Sequence, residues 1–231
     1  MGDVAQRLAA IRERIEAACR RAGRDPSEVT LVGASKRQPL ERLQEAFDAG
    51  LTAFGENIVQ EAQEKKDRLP AEIEWHLLGP LQSNKTRPAA ELFDVIHSVD
   101  RLKILRRLNQ HAEELGKRLP CFIEVLLGGE ESKHGFPPRR LEEALEAFAE
   151  APHLELRGLM SIPPPGETPE DSRPWFVRLR ELSENAAKQW PGPGPWPGGL
   201  SMGMSGDFEV AIEEGATHVR VGTALFGARE S

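Results

Sequence analysis

The residue best placed for covalent chemistry is Lys36, at the end of Thr30-Leu31-Val32-Gly33-Ala34-Ser35-Lys36. The adjacent apolar Leu31 and Val32, followed by two small residues, predict a buried strand over about 29 to 35 of the kind found in parallel sheets. A lysine at the C-terminal end of such a strand sits where α/β folds bind ligands. In a partly desolvated mouth it can lose its proton and attack a carbonyl to give a Schiff base. The plainer alternative is a surface lysine that merely follows a strand. Two further stretches offer phosphate chemistry. Ser201-Met202-Gly203-Met204-Ser205 and Val221-Gly222-Thr223-Ala224 each combine glycine, hydroxyls and free backbone N–H groups at a helix start, which suits a dianion; capping hydroxyls in tight turns are the alternative. Arg220 lies two residues before Gly222, and if it points inward it is a permanent cation. His76 and His97 fall near strand ends and are read first as hydrogen-bonded interior groups, then as bases. No His/Cys/Asp cluster has metal-ligand spacing, so no metal site is expected.

These residues need a scaffold that brings distant strand ends together. Val4, Leu8, Ile11, Ile15 and Ala18 recur at helical spacing and predict an amphipathic helix over 3–22, with Cys19 as core filler and Gly23 as its stop. Further strands are predicted at 54–57, 74–78, 95–98, 122–127, 154–160, 200–202 and 218–222. Helices are predicted at 39–50, 57–68, from 81, 100–116 with Asp100 as cap, 137–150, 168–189 and 207–214. Pro191 to Gly199 is a loop. Eight strands alternating with helices imply right-handed parallel crossovers and a closed (β/α)8 barrel with an extra N-terminal helix, residues 1–231 forming one domain. An open doubly wound sheet is the rival, weakened by the lack of Gly-x-Gly-x-x-Gly after the first strand.

Composition narrows the function. The 231 residues carry a net charge of −7 and no long basic run, which argues against nucleic acid. No apolar stretch approaches a membrane span, and no apolar core of a secretion signal follows the N-terminus. Two cysteines suit a reducing cytosol, so a cytoplasmic location is expected. There is no tyrosine, which removes one common general base.

Leu31 to Lys36, Phe54-Gly-Glu-Asn57, Trp75 to Lys85, His97 to Arg101, Gly158 to Pro163, Leu200 to Ser205 and Val219 to Gly227 together resemble the pyridoxal phosphate homeostasis protein family, whose barrel is that of the alanine racemases (fold type III). The resemblance runs nearly end to end. It implies pyridoxal 5′-phosphate held on Lys36 as a Schiff base, phosphate contacts from Ser201, Gly222 and Thr223, ring contacts from Asn57 and Met160, and Arg220 facing the pyridine nitrogen. A fixed cation there disfavours protonating that nitrogen, so carbanion chemistry is damped. The resemblance therefore implies a cofactor carrier with no catalytic residues that passes its cargo to apo-enzymes, as a monomer. It also implies a second cofactor site near Lys133. Ile58 stands where many members have tyrosine. The rival readings are a racemase using Lys36 as one base, and a barrel for another phosphorylated metabolite.

Overall fold

The computed structural model describes residues 2–128 and 134–227. Helix α1 (Asp3–Ala22) buries Val4, Leu8, Ile11, Ile15, Ala18 and Cys19 along one face. It ends at Gly23, whose positive φ of 66° lets the Gly23 and Arg24 N–H groups reach the last carbonyls of the helix.

Eight parallel strands follow: β1 (Thr30–Ala34), β2 (Ala53–Glu56), β3 (Glu74–Leu77), β4 (Val95–Val99), β5 (Leu119–Glu124), β6 (Leu154–Met160), β7 (Gly199–Met204) and β8 (His218–Val221). Each pairs with the next, and β8 returns to pair with β1 through Thr30↔His218 to Gly33↔Val221, closing the barrel. Between them run α2 (Leu40–Asp48), α3 (Val59–Lys66), α4 (Thr86–Leu92), α5 (Leu102–Glu114), α6 (Leu141–Ala149), α7 (Arg173–Gln189) and α8 (Phe208–Glu213), and α9 (Thr223–Phe226) ends the described chain. The expected barrel with an added N-terminal helix is the fold.

The outer core is one continuous apolar layer between strands and helices. The helices supply it at spacings of three and four, as with Ile104, Leu105, Leu108 and Ala112 on α5. The barrel interior is different. It holds only small apolar clusters, Val32 with Ala53 and Leu78, and Val95 with Phe122 and Met160. The rest is polar: His76, His97, Ser201 and Arg220 are all buried. Strand alternation accounts for this, since residues two apart share a face. Glycine permits the closest approach of two strands. Gly158 has φ of 143°, and a Cβ there would strike the backbone of Gly199 on β7.

Several boundaries depart from the expectation. β5 begins at Leu119, three residues early, and carries Pro120 inside it. The ladder shifts register between Cys121 and Phe122, the kind of irregularity that lets a sheet accept proline. Asp100 does not cap α5; Arg101 holds that position, and Asp100 is buried against Arg101 and His134 instead. The helix after β2 is shorter than 57–68, because Asn57 and Ile58 are still extended or turning. The one after β3 starts as a 3-10 turn at Ser83–Lys85. The segment at 168–189 likewise opens with a 3-10 turn, Pro169–Ser172, capped by Thr168.

Candidate functional site

Lys36 lies in a tight turn just beyond β1. Ser35 N–H donates to the Gly55 carbonyl at 2.9 Å, Gln38 N–H to the Ser35 carbonyl at 3.0 Å, and Arg37 takes a positive φ of 56°. Such a φ is costly for arginine, and a buried network holds it. The Arg37 N–H donates to Glu61 Oε1 at 2.5 Å. Lys65 Nζ donates to the Ser35 carbonyl at 2.8 Å, to Glu56 Oε1 at 2.6 Å and to Glu61 Oε1 at 2.8 Å. The Ser35 hydroxyl donates to Glu56 at 2.6 Å. Glu61 and Lys65 are one helical turn apart on α3, in the favourable order. Burial pushes the Glu56 carboxyl above its ordinary range, and Lys65 opposes that push. Lys65 sits in the charge run Glu64-Lys65-Lys66-Asp67, so nothing in the sequence marked it as an anchor.

A cleft of about 470 Å³ opens beside this turn, lined by Lys36, Asn57, Ile58, Leu81, Lys85 and Arg101 among others, and among the described residues no carboxylate lines it. Asn57 comes close to the Gly79-Pro80 break after β3, where any Cβ at position 79 would strike the Asn57 backbone. Ile58 is 45% exposed at the rim. A larger groove, about 690 Å³, lies outside the barrel along α2 and includes Glu41, Glu45 and Asp48. It contains none of the strand-end residues.

Inside the mouth, Arg220 on β8 is buried. Its Nη1 donates to the Ser201 hydroxyl at 2.6 Å and its Nη2 to the Ser161 carbonyl at 3.0 Å. Burial pulls the guanidinium down to about 10, and Glu124 and Asp207 pull it back up. At that value it remains a cation at neutral pH. Ser161 follows Met160, which pairs in register with Ser201 on one side and Glu124 on the other.

Glu124 ends β5, and burial lifts its carboxyl to about 7, with Asp100 adding to the rise and Arg220 opposing it. The folded chain thus retains a proton that an unfolded one releases near about pH 4. The stability this group contributes is complete at low pH and falls by about 3 kcal/mol as pH rises from about 4 to 7. Glu124→Gln should therefore be neutral at about pH 4 and stabilise the fold at about pH 8 by most of that amount. Urea unfolding at the two pH values measures it; an equal effect at both would contradict the titration.

At the end of β8, the backbone N–H groups of Gly222 and Ala224 point at one oxygen, the hydroxyl of Ser205, at 3.2 and 3.3 Å. Gly222 lies beside the Ala34 carbonyl, so this turn adjoins the Lys36 strand. Thr223 is exposed there.

Comparison with known proteins identifies the architecture. The family profile described as alanine racemase, N-terminal domain, matches residues 6–230. The pyridoxal phosphate homeostasis protein of Aquifex aeolicus is 45% identical over 226 residues, spanning 97% of this chain and 98% of that one. That of Escherichia coli K12 is 43% identical, spanning 100% and 98%. The chain belongs to the pyridoxal phosphate homeostasis protein family. PipY of Synechococcus elongatus, solved with pyridoxal phosphate bound, superposes with a TM-score of 0.85 at 39% identity, covering 97% of this chain and 100% of that one. An alanine racemase of Clostridium difficile superposes with a TM-score of 0.72 at 14% identity; this chain covers 57% of its length, and the likeness is one of fold.

Of the residues expected for a pyridoxal phosphate homeostasis protein, Lys36 and Asn57 share the cleft. Met160, Ser201 and Arg220 meet in the interior, and Gly222 and Thr223 form the turn beside β1. The Ser201 hydroxyl meets Arg220 and His97 inside the barrel. His76 and His97 are hydrogen-bonded interior groups. Lys133 lies outside the described residues. Among the described residues no group of His, Cys, Asp and Glu is placed to hold a metal, and no helix is long and apolar enough to cross a membrane. Sequence reading missed Lys65 and Glu124 as site neighbours. Ser205 belongs to the Ser201-Met-Gly-Met-Ser205 stretch read as phosphate chemistry.

Proposed function

We propose that the barrel mouth holds pyridoxal 5′-phosphate covalently on Lys36, and that this chain buffers the cofactor and delivers it to apo-enzymes that depend on it. The observation that carries the reading is Lys36 at the mouth of a barrel whose 39%-identical relative PipY was solved with pyridoxal phosphate bound. The bound cofactor supplies an aldehyde, to which an amine can join. The residues present suit it. The Gly222 and Ala224 N–H groups already converge on a hydroxyl oxygen, so the same donors fit a phosphate oxygen. The Thr223 hydroxyl stands at that turn, and Asn57 and Met160 would flank the ring. The Arg220 cation, fixed by Ser201 and Ser161, would meet the ring nitrogen and keep it unprotonated.

Two features support carriage over catalysis. Arg220 weakens the ring as an electron sink, and a chain without tyrosine lacks the hydroxyl base of a two-base racemase. Solvent deuterium exchange at the α-carbon of alanine tests this with cofactor-loaded protein and free cofactor as control. Exchange no faster than the control, with the covalent link intact, is expected. Faster exchange that disappears in Lys36→Ala would overturn the carrier reading in favour of a racemase.

Thr223→Val removes one donor to the phosphate while keeping the side chain's shape. It should weaken pyridoxal phosphate binding about tenfold, the scale of a hydrogen bond to a charged group. Titration of the bound cofactor's absorbance measures it, and unchanged affinity would move the phosphate elsewhere. We further propose one domain over 1–231, a monomer, and a cytosolic location, the last supported by two free, buried cysteines.

A further inference from the structure

A hydrogen-bonded chain of side chains crosses the barrel interior from the mouth toward its floor. Arg220 Nη1 meets Ser201 Oγ at 2.6 Å. Ser201 Oγ meets His97 Nδ1 at 2.8 Å. His97 Nε2 meets His76 Nδ1 at 2.8 Å. His76 Nε2 faces the Glu74 carboxylate at 3.6 Å and, though fully buried, has no hydrogen-bond partner among the described residues. We infer that His97, backed by His76, is a positioning residue that aims Arg220 at the bound cofactor by fixing the direction of the Ser201 hydroxyl. The inference rests on the cofactor reading above and adds residues that no contact with the cofactor would reveal.

The two ends of the chain set its direction. A guanidinium only donates, so Ser201 Oγ must accept from Arg220. A carboxylate only accepts, so His76 presents Nε2–H toward Glu74 and leaves its Nδ1 bare. That bare nitrogen must then receive Nε2–H from His97. His97 in turn has a bare Nδ1, which receives the Ser201 hydroxyl hydrogen. The three hydrogen-bonded links, Arg220–Ser201, Ser201–His97 and His97–His76, are then satisfied with each ring carrying its proton on Nε2. The reverse arrangement would set a bare His76 nitrogen against a carboxylate.

The surroundings favour this state. His97 stacks on Phe122 at 4.7 Å between ring centres and lies against His218 at 5.7 Å. Burial, together with His76, His218 and Arg220, pulls His97 well below the ordinary imidazole range. His218 is pulled down to about 3, chiefly by burial; Glu74 opposes that pull, while Arg157 and Arg220 add to it. The Ser201 hydroxyl hydrogen is therefore committed to His97 and is not free for a phosphate. Ser201 offers a lone pair to one N–H of Arg220, the Ser161 carbonyl takes another, and the remaining N–H groups are left for the mouth.

The direct test uses the wild-type protein without cofactor, labelled with 15N-histidine. The imidazole spectrum should show His76 and His97 with the proton on Nε2 and Nδ1 bare, and the His97 signals should not change between about pH 5 and about pH 8, where an ordinary histidine titrates. A proton on His97 Nδ1, or its titration in that range, would overturn the inference. The second arm measures pyridoxal phosphate affinity and the absorbance of the bound cofactor in Ser201→Ala, His97→Phe and the double variant. Each single change should weaken binding about tenfold and shift the band alike, and the double should be no weaker than either. A double variant weakened about a hundredfold would mean independent roles and would overturn it. Wild-type protein that takes up no cofactor would refute the role assigned to Arg220 together with the carrier reading, whereas the tautomers read the chain itself.

Discussion

Lys36→Ala should leave a folded protein that forms no covalent adduct with pyridoxal phosphate. Wild-type protein treated with the cofactor and then with borohydride should gain the mass of one reduced pyridoxyl phosphate, and the variant should gain none. The expectation follows from the division of labour around the turn. Lys36 is half-buried and its amine makes no hydrogen bond or ion pair among the described residues. The turn is instead held by Ser35, Glu56, Glu61 and Lys65, so truncating Lys36 removes the nucleophile and spares the frame. Lys36→Arg sharpens the test, because guanidinium keeps the charge and cannot form the link. Both variants should behave alike. An adduct of unchanged mass in either one would show that another amine, such as Lys85 in the same cleft, carries the cofactor.

Lys65→Met should destabilise the fold by about 3–5 kcal/mol at neutral pH, the usual consequence of leaving one partner of a buried ion pair alone. Glu56 is fully buried; its Oε1 takes both Lys65 and Ser35, and its Oε2 has no partner among the described residues. Methionine fills much of the lysine's space, so the loss is electrostatic. The sign with pH follows. Without Lys65 the folded carboxyl rises further above its unfolded value, so the stability of the variant falls as pH rises through the carboxylate range. Urea unfolding should show the deficit shrinking toward about pH 4, where Glu56 is protonated in both states. Lys65→Met with Glu56→Gln should recover much of it. A deficit independent of pH would assign Lys65 to packing. A folded Lys65→Met protein should also form the Lys36 adduct more slowly, since Arg37 in its left-handed conformation and the Ser35 carbonyl lose their anchor.

The alternation of strands and helices was legible because each repeat carries its own local signals. Gly23 closes α1 by the conformation only glycine adopts cheaply, and the apolar stripe of α1 needed nothing but spacing. The strand-end residues were legible for the same reason: Lys36, Asn57, Arg220 and Gly222 directly follow or end short apolar runs. The start of β5 at Leu119 was not legible from the apolar run that begins at Phe122; the register shift between Cys121 and Phe122 lets the strand take in Pro120. Asp100 misled, having the composition of a cap but a place in the mouth.

The sequence by itself determined the (β/α)8 scaffold, the place of Lys36 just beyond a strand end and the absence of tyrosine, all of which are properties of local pattern and composition. Only the tertiary structure decided which charges are buried together. Lys65 reaches Glu56 across 9 residues, while His97 reaches Ser201 across 104. Those pairings depend on which face each side chain presents once the barrel closes. A buried charge or imidazole is tolerated only where closure brings it a partner, and a linear pattern of residue types carries no record of that distance.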